Sequence, residues 1–176
     1  MKIWKSIKTA LYIAVAVLII VFREPVVENI KYLVGSLMIV YGAEKAILSL
    51  VNRHEKFELY SLIWGVIEVM VGTITIAFIN EYSSVCVIWA IWAILREALE
   101  VEECILEFKE KTVVCVLSLI ESAVAIVFSI LLMIHPTEHH AMTHIYLLAV
   151  ELITCVLFPH INYLLEKNKE NKKAEE

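Results

Sequence analysis

The stretch Leu62-Ile63-Trp64-Gly65-Val66-Ile67-Glu68-Val69-Met70-Val71-Gly72 decides how the chain folds. It lies in an apolar run of about 20 residues, the length that crosses the hydrocarbon core of a bilayer. A carboxylate stands at its centre, between two glycines seven residues apart. Residues at this spacing lie on one face of a helix, where small side chains let a second helix approach closely.

The same design returns 53 residues later. Glu121 takes the place of Glu68, and the two flanking small residues become Ser118 and Ala125. We assign helix packing to the four small residues, Gly65, Gly72, Ser118 and Ala125. The sequence thus predicts two related helices, each with one buried acid.

The composition indicates a membrane protein. Of 176 residues, 60% are hydrophobic, and the mean hydropathy is +0.77. Average soluble domains have roughly 45–50% apolar residues. We therefore predict one transmembrane domain over residues 1–165, followed by a charged cytoplasmic tail over residues 166–176.

The predicted fold is all-α, an integral membrane six-helix bundle made of three repeated transmembrane helical hairpins. The hairpins cover about residues 4–51, 59–108 and 112–165. The predicted spans are Trp4–Phe22, Ile30–Val51, Leu59–Ile79, a segment from Val85 to Leu95 that continues as an amphipathic helix, Thr112–Ile134, and Ala141–Leu165.

The distribution of basic residues predicts the orientation. Of the 15 lysines and arginines, all except Arg23 and Lys31 fall at the termini or at the loops after the second and fourth spans, if Lys45 and Arg96 are counted with the loops they adjoin. Cytoplasmic loops carry the excess of basic residues. We therefore expect a multi-pass protein of a plasma membrane with both termini in the cytoplasm, where the basic rim meets anionic lipid head groups.

The acids within the spans recur at a fixed period. Glu44, Glu97 and Glu151 lie in the second, fourth and sixth spans, 53 and then 54 residues apart. Glu68 and Glu121 repeat at the same interval in the third and fifth spans. Self-similarity at a fixed period indicates repeated structural units.

The chain resembles the HdeD family. The features that carry the resemblance are the six short spans, the segment Gly35-Ser36-Leu37-Met38-Ile39-Val40-Tyr41-Gly42 in a second helix, and Pro25 and Pro136 after first helices. The middle repeat departs from this pattern, with Asn80-Glu81 where a proline is expected. The resemblance implies a small bacterial inner-membrane protein associated with acid resistance. It supplies no catalytic residues.

The intramembrane acids admit three roles. An ionised acid at the centre of a bilayer costs about 2.5–3.5 kcal/mol on insertion scales. Glu68, Glu121 and Glu151, with Glu44 and Glu97 nearer the cytoplasm, must therefore face a partner or water, or carry a proton. They hold the helices together, handle protons or cations, or bind a ligand.

Two basic residues are candidate charge partners of these acids. Lys45 follows Glu44, and Arg96 precedes Glu97. Because adjacent side chains on a helix point about 100° apart, we expect Lys45 and Arg96 to pair with acids of other helices.

A histidine-rich segment follows the fifth span on the predicted outer face. It is a candidate pH-sensing or metal-binding loop, in which His140 and His144 are one helical turn apart. A polar interfacial loop without either role is the third interpretation. The candidate residues are His135, Glu138, His139, His140 and His144.

Three functions remain open from the sequence. The first is a membrane protein of the acid or envelope-stress type, whose central glutamates sense or conduct protons or cations. The second is a non-transporting structural or adaptor protein, and the third is a metal-binding membrane enzyme that uses the histidine loop. Because no nucleotide-binding or hydrolase motif occurs, we expect no enzyme activity, cofactor or nucleic-acid partner. Since six short spans leave little room for a solvated path, we expect a homo-oligomer.

Overall fold

The computed structural model of the protein describes residues 2–51, 59–108 and 111–175, and side chains for residues 9–51, 59–102, 104–108 and 111–164. Within these ranges the chain is helical and contains no strand. The all-α prediction is therefore confirmed. The loop between the second and third spans, which holds Arg53 and Lys56, lies outside the described residues.

The helix bounds follow the predicted spans closely. The second and fifth spans, Ile30–Val51 and Thr112–Ile134, are helices with the predicted ends. The first helix is followed by a short one that holds Pro25 in its first turn, where proline costs no hydrogen bond. The helices are α1 (Lys2–Val21), α2 (Arg23–Glu28), α3 (Ile30–Val51), α4 (Leu59–Phe78), α5 (Tyr82–Glu107), α6 (Thr112–Ile134) and α7 (Glu138–Glu175).

Four segments of the described chain are long and apolar enough to cross a membrane. They are α3, α4, α6 and the Glu138–Leu164 part of α7. Helix α1 contributes a shorter apolar segment, Thr9–Val21. Helix α5 is long enough, but its second half carries Arg96 and several glutamates. The helices are thus those of a membrane protein, with four candidate spans among the described residues, and the predicted bundle of six spans stays a prediction.

The chain forms two compact units. The first comprises Met1–Arg23 and Ala90–Glu176, and the second comprises Glu24–Trp89. We call them the terminal unit and the central unit. Helices α3 and α4 pack on each other in the central unit, whereas α7 packs on both α1 and α6 in the terminal unit.

Glycines bring α3 and α4 into backbone contact. Gly35 lies opposite Gly72, and Gly42 lies opposite Gly65, so the helices are antiparallel. A Cβ atom added to Gly42 would lie 2.5 Å from the Gly65 carbonyl oxygen, and one added to Gly72 would lie 2.6 Å from the Gly35 oxygen. These are the four glycines of the chain. Any larger side chain there would push the helices apart.

This helix pair crosses the predicted hairpin boundary. Helix α3 belongs to the predicted hairpin 4–51, and α4 belongs to the next one, 59–108. Lys31 donates a 2.8 Å hydrogen bond to Asn80 Oδ1 and so joins the start of α3 to the residues after α4. The sequence period therefore relates helices that resemble each other, whereas the glycines determine which helices touch.

The terminal unit has a different interface. Helix α6 buries mostly small residues at alternating spacings of three and four, a pattern that marks one helix face. Helix α7 presents larger side chains from its own buried face, so small residues of one helix accommodate large ones of the other. The α6 residues are Cys115, Ser118, Ser122, Ala125, Ser129 and Leu132. Those of α7 include Ala141, His144, Ile145, Leu148, Ala149 and Leu152.

Serine hydroxyls fix the start of α5. Ser83 and Ser84 donate hydrogen bonds of 2.7 and 2.9 Å to the carboxylate of Glu81, in the turn after α4. These two bonds, chiefly that of Ser83, lower the pKa of the exposed Glu81 carboxyl. This turn replaces the proline that the middle repeat lacks.

We predict that Gly42→Ala destabilises the protein. Alanine favours a helix over glycine by about 1 kcal/mol, but overpacking a tight contact costs about 1–3 kcal/mol. The clash here is with backbone, which cannot rotate away, so we expect a net loss of about 1 kcal/mol and a lower Tm in detergent. Ser36→Ala, at an exposed position of the same helix, is the control. An unchanged or raised Tm for Gly42→Ala would contradict the packing.

Candidate functional site: the buried carboxylates

The predicted acids differ in burial. Glu68 is 4% exposed and Glu97 only 2% exposed, whereas Glu44, Glu121 and Glu151 are half-buried. The Glu97 side chain is thus enclosed by protein. It is one of the largest fully buried side chains of the described residues.

In the central unit, Glu68 binds a lysine. Lys45 Nζ of α3 lies 3.0 Å from Glu68 Oε1 of α4. The Cβ atom of Glu68 lies beside Gly42, where a Cβ on that glycine would approach to 2.8 Å. The glycine contacts therefore bring the two helices close enough for the lysine to reach a buried acid.

In the terminal unit, Arg96 binds two acids. Its Nη2 atom lies 2.6 Å from Glu151 Oε2 of α7 and 3.7 Å from Oε1 of its neighbour Glu97. The contact with Glu97 differs from the expectation that the pairing runs only between helices. At 3.7 Å this contact is the longer of the two and exceeds hydrogen-bond distance. The charge-assisted bond to Glu151 is therefore the main one.

Trp92 holds the guanidinium in place. The tryptophan is 5% exposed and lies one helical turn before Arg96 on α5. The guanidinium carbon lies 5.7 Å from a Trp92 ring centroid. Such a cation–π contact is worth about 0.5–2 kcal/mol, most when desolvated. Trp92 and Glu151 thus contact the Arg96 side chain, and both limit where its charge can lie.

Glu121 takes a hydroxyl as its partner. Thr154 Oγ1 lies 2.6 Å from Glu121 Oε1, and also 3.0 Å from the Glu151 carbonyl oxygen and 3.2 Å from that of Val150. A hydroxyl has one proton to donate. If Thr154 donates it to a backbone carbonyl, the short contact with Glu121 needs a proton on the carboxyl group. The geometry therefore accommodates Glu121 in both protonation states.

These groups form one cluster. Thr154 follows Glu151 by three residues on α7, about 4.5 Å along the helix axis. Glu121, which contacts Thr154, and Arg96, which contacts Glu151, therefore meet α7 at neighbouring levels. The charges of Glu97, Glu121 and Glu151 act on one another and on Arg96. We call Glu97, Glu121, Glu151, Arg96 and Thr154 the carboxylate cluster. It brings three carboxyl groups around one guanidinium.

Several residues of the site have weak sequence signals. Thr154 and Trp92 lie one helical turn from Glu151 and Arg96, a spacing that also occurs by chance. Gly35 and Gly42 repeat the seven-residue spacing of Gly65 and Gly72, and this signal identifies them as packing partners. Ser122 and Ser129 are hidden in an apolar helix and are found only through their burial.

The histidine segment divides between surface and interior. His144 is 4% exposed, and its Nε2 atom lies 3.1 Å from Ser129 Oγ of α6. His144 lies in the second turn of α7, inside the predicted sixth span, and its ring faces α6. His144 therefore packs between α6 and α7 and does not share a surface site with His140.

The remaining histidines surround the start of α7. His140 Nδ1 lies 2.8 Å from the His135 carbonyl oxygen, and the His140 backbone N–H donates to Thr137 Oγ1 at 3.4 Å. Thr137 thus caps the helix. The His139 and His135 rings lie 6.0 and 6.4 Å from that of His140. Glu138 lies in the first turn of the helix, where a negative charge is favourable.

Metal-ligand geometry is not assembled in the described part of the chain. No group of three or more His, Cys, Asp or Glu side chains there is placed to hold a metal ion. The metal-enzyme hypothesis thus gains no support from the histidine segment, whose His140 ring is bound to backbone and whose His144 ring is buried.

Comparisons with known proteins do not assign the chain to a family. No family model, no curated protein and no solved structure matches it. The carboxylate cluster and the Lys45–Glu68 pair therefore have to be interpreted from their own geometry.

We predict that Lys45→Met destabilises the protein more than Lys45→Met combined with Glu68→Gln. Removing one partner of a buried ion pair leaves an uncompensated charge, whereas removing both leaves none. Because Lys45 is 29% exposed, we expect a loss of about 2 kcal/mol for the single variant, below the range for fully buried pairs. A double variant less stable than Lys45→Met, by thermal unfolding in detergent, would contradict a direct pairing.

Proposed function

We propose that this is a membrane protein whose carboxylate cluster takes up and releases protons. The observation that carries the proposal is the excess of acid in the terminal unit. Glu97 and Glu151 contact the guanidinium of Arg96, Glu121 joins them through Thr154, and the four charged side chains are at least partly buried. If all the carboxyls are ionised, the cluster has a net charge of about −2 in a low-dielectric region. A proton is the smallest species that removes such an excess.

Structural bonding alone does not account for three acids in one place. An interhelical hydrogen bond within a membrane contributes about 0.6 kcal/mol on average. An ionised acid at the bilayer centre costs about 2.5–3.5 kcal/mol. Three ionised acids with one counter-ion thus cost more than their hydrogen bonds return. The cost falls when one carboxyl group carries a proton, and this links the stability of the cluster to the proton concentration.

Glu121 is the group that we assign to proton exchange. Arg96 forms its short bond with Glu151 and its longer contact with Glu97. Glu121 has the Thr154 hydroxyl, which can either donate to a carboxylate or accept from a carboxylic acid. A proton can therefore bind and leave here while the ion pair stays intact.

The topology, location and oligomeric state of the protein belong to the same proposal. Six spans, cytoplasmic termini and a bacterial inner-membrane location rest on the hydropathy and charge pattern, and acid or envelope stress rests on the resemblance to the HdeD family. A homo-oligomer, which the short chain favours, would place several clusters in one assembly. Proton exchange at Glu121 would suit either a sensor or a conducting protein in that setting.

A structural role is the second candidate for the central unit. There one lysine meets Glu68 beside the glycine contacts. Ion pairing and backbone contact at the same level are typical of a site that holds two helices in register. We therefore propose that Glu68 fixes α3 against α4, whereas the terminal unit exchanges protons.

We predict that Glu121→Gln removes proton binding. The test is potentiometric titration of purified protein in detergent from pH 8 to pH 5. We expect the wild type to take up about one proton per chain more than Glu121→Gln, since glutamine has no titratable group. Glu28→Gln, at an exposed acid of α2, is the matched control. Equal uptake by the wild type and Glu121→Gln would contradict the proposal.

A further inference from the structure

We propose that Cys104 and Cys115 form a reversible disulfide that joins α5 to α6 when the protein meets a hydroperoxide. Both cysteines lie in the terminal unit. Neither belongs to the carboxylate cluster, so the inference does not depend on proton exchange at Glu121.

The two cysteines occupy matching positions on either side of the connection between α5 and α6. Cys104 lies three residues before Glu107, the last residue of α5. Cys115 lies three residues after Thr112, the first residue of α6. Three residues rise about 4.5 Å along a helix. Two helices that fold back on each other at this connection therefore bring the cysteines to the same level.

Interactions between side chains show that α6 folds back on α5. The Cys104 thiol of α5 lies within hydrogen-bonding reach of the Cys115 thiol and the Ser118 hydroxyl, both of α6. Farther from the connection, the charge of Glu97 acts on Glu121. Glu97 precedes Cys104 by seven residues, and Glu121 follows Cys115 by six. The two interactions therefore fit one antiparallel register, with the thiols about two helical turns from the acids.

Both thiols face the protein interior. Cys104 is 8% exposed and Cys115 is 3% exposed, and both are free thiols in the structure. A single buried cysteine packs as a small apolar side chain. Two thiols in contact across a helix interface are in addition the two reactants of a disulfide, which needs the cysteines side by side. The other cysteine of this unit, Cys155 of α7, is exposed.

Oxidation of the pair by hydrogen peroxide balances without a further reactant. The sulfur of one cysteine attacks the O–O bond, takes one oxygen to become a sulfenic acid, and the other oxygen leaves as water. The second thiol attacks that sulfur, so the S–S bond forms and a second water leaves. In total the two thiols lose two electrons and two protons, and the peroxide takes them up.

The environment of Cys104 keeps the pair reduced until an oxidant is present. Burial raises the pKa of the Cys104 thiol, with further contributions from Cys115 and Glu100, whereas the Ser118 hydroxyl lowers it. Since the thiolate is the nucleophile, the oxidation rate should rise with pH. The basic residues predict that this end of α5 lies in the cytoplasm, where disulfides are mostly transient and serve redox sensing. A link here would hold α5 against α6 for as long as the oxidant lasts.

The test is oxidation of the purified, folded protein in detergent with hydrogen peroxide, followed by alkylation of the remaining thiols and mass spectrometry of peptides. We expect the peptides of Cys104 and Cys115 to be joined. Their mass should lie about 2 Da below the sum of the free peptides, because two hydrogen atoms leave. A dithiol reductant should restore both thiols, and both should then be alkylated.

Matched variants show whether the pairing is specific. Cys155→Ser removes the other cysteine of the terminal unit and should leave the yield of the link unchanged, whereas Cys115→Ser should abolish it. Because groups held side by side react at a high effective concentration, we expect the Cys104–Cys115 link to exceed the Cys104–Cys155 link by roughly tenfold. This preference should be lost when the protein is oxidised after unfolding in dodecyl sulfate.

Three results would overturn the proposal. The first is alkylation of both Cys104 and Cys115 after peroxide treatment of the folded protein. The second is oxidation of either cysteine to a sulfinic acid with no link between them. The third is a link from Cys104 chiefly to Cys155 or to a second chain, the latter seen as a dimer on a non-reducing gel. The wild-type protein alone gives all three readouts, so none depends on the folding of a variant.

Discussion

A buried carboxylate needs a compensating charge, and this constraint governs how the helices of this protein are arranged. The cost of an ionised acid in hydrocarbon is several times the gain from one interhelical hydrogen bond. Each acid in the interior therefore determines what lies beside it. In the described helices, Glu68 forms an ion pair between two helices, whereas Glu97, Glu121 and Glu151 belong to a cluster of groups from three helices.

The central unit compensates Glu68 through close approach. The glycine pairs let the α3 and α4 backbones touch, and Lys45 then reaches the acid across the interface at 3.0 Å. In the terminal unit, Ser118 and Ala125 stand where α4 has glycines, and the acid at the related position, Glu121, binds a threonine. The change from glycine to larger residues thus accompanies a change from a charged partner of the acid to a hydroxyl partner.

The sequence predicts the helices well because the backbone of an apolar run in a membrane has to satisfy its own hydrogen bonds, and a helix of the length of that run does so. It also predicts that Lys45 and Arg96 bind acids, since isolated charges in such runs need partners. The 53-residue period does not predict that α3 pairs with α4, because it describes similarity and not contact; the signal for that pairing is the matching spacing of the four glycines. The partners of Arg96, the burial of His144 and the role of Thr154 depend on helix rotation, which a periodic apolar helix leaves undetermined.

Infrared difference spectroscopy on a change of pH tests the proposed proton exchange at Glu121 most directly, because it observes the carboxyl groups themselves. We expect the C=O stretching band of a hydrogen-bonded carboxylic acid to gain intensity on acidification. This band should be lost in Glu121→Gln, kept in Glu68→Gln and shifted in Thr154→Val, which removes the hydroxyl. A wild-type spectrum in which no buried carboxyl band changes with pH would contradict proton exchange at Glu121, and so would a band that is unchanged in Glu121→Gln.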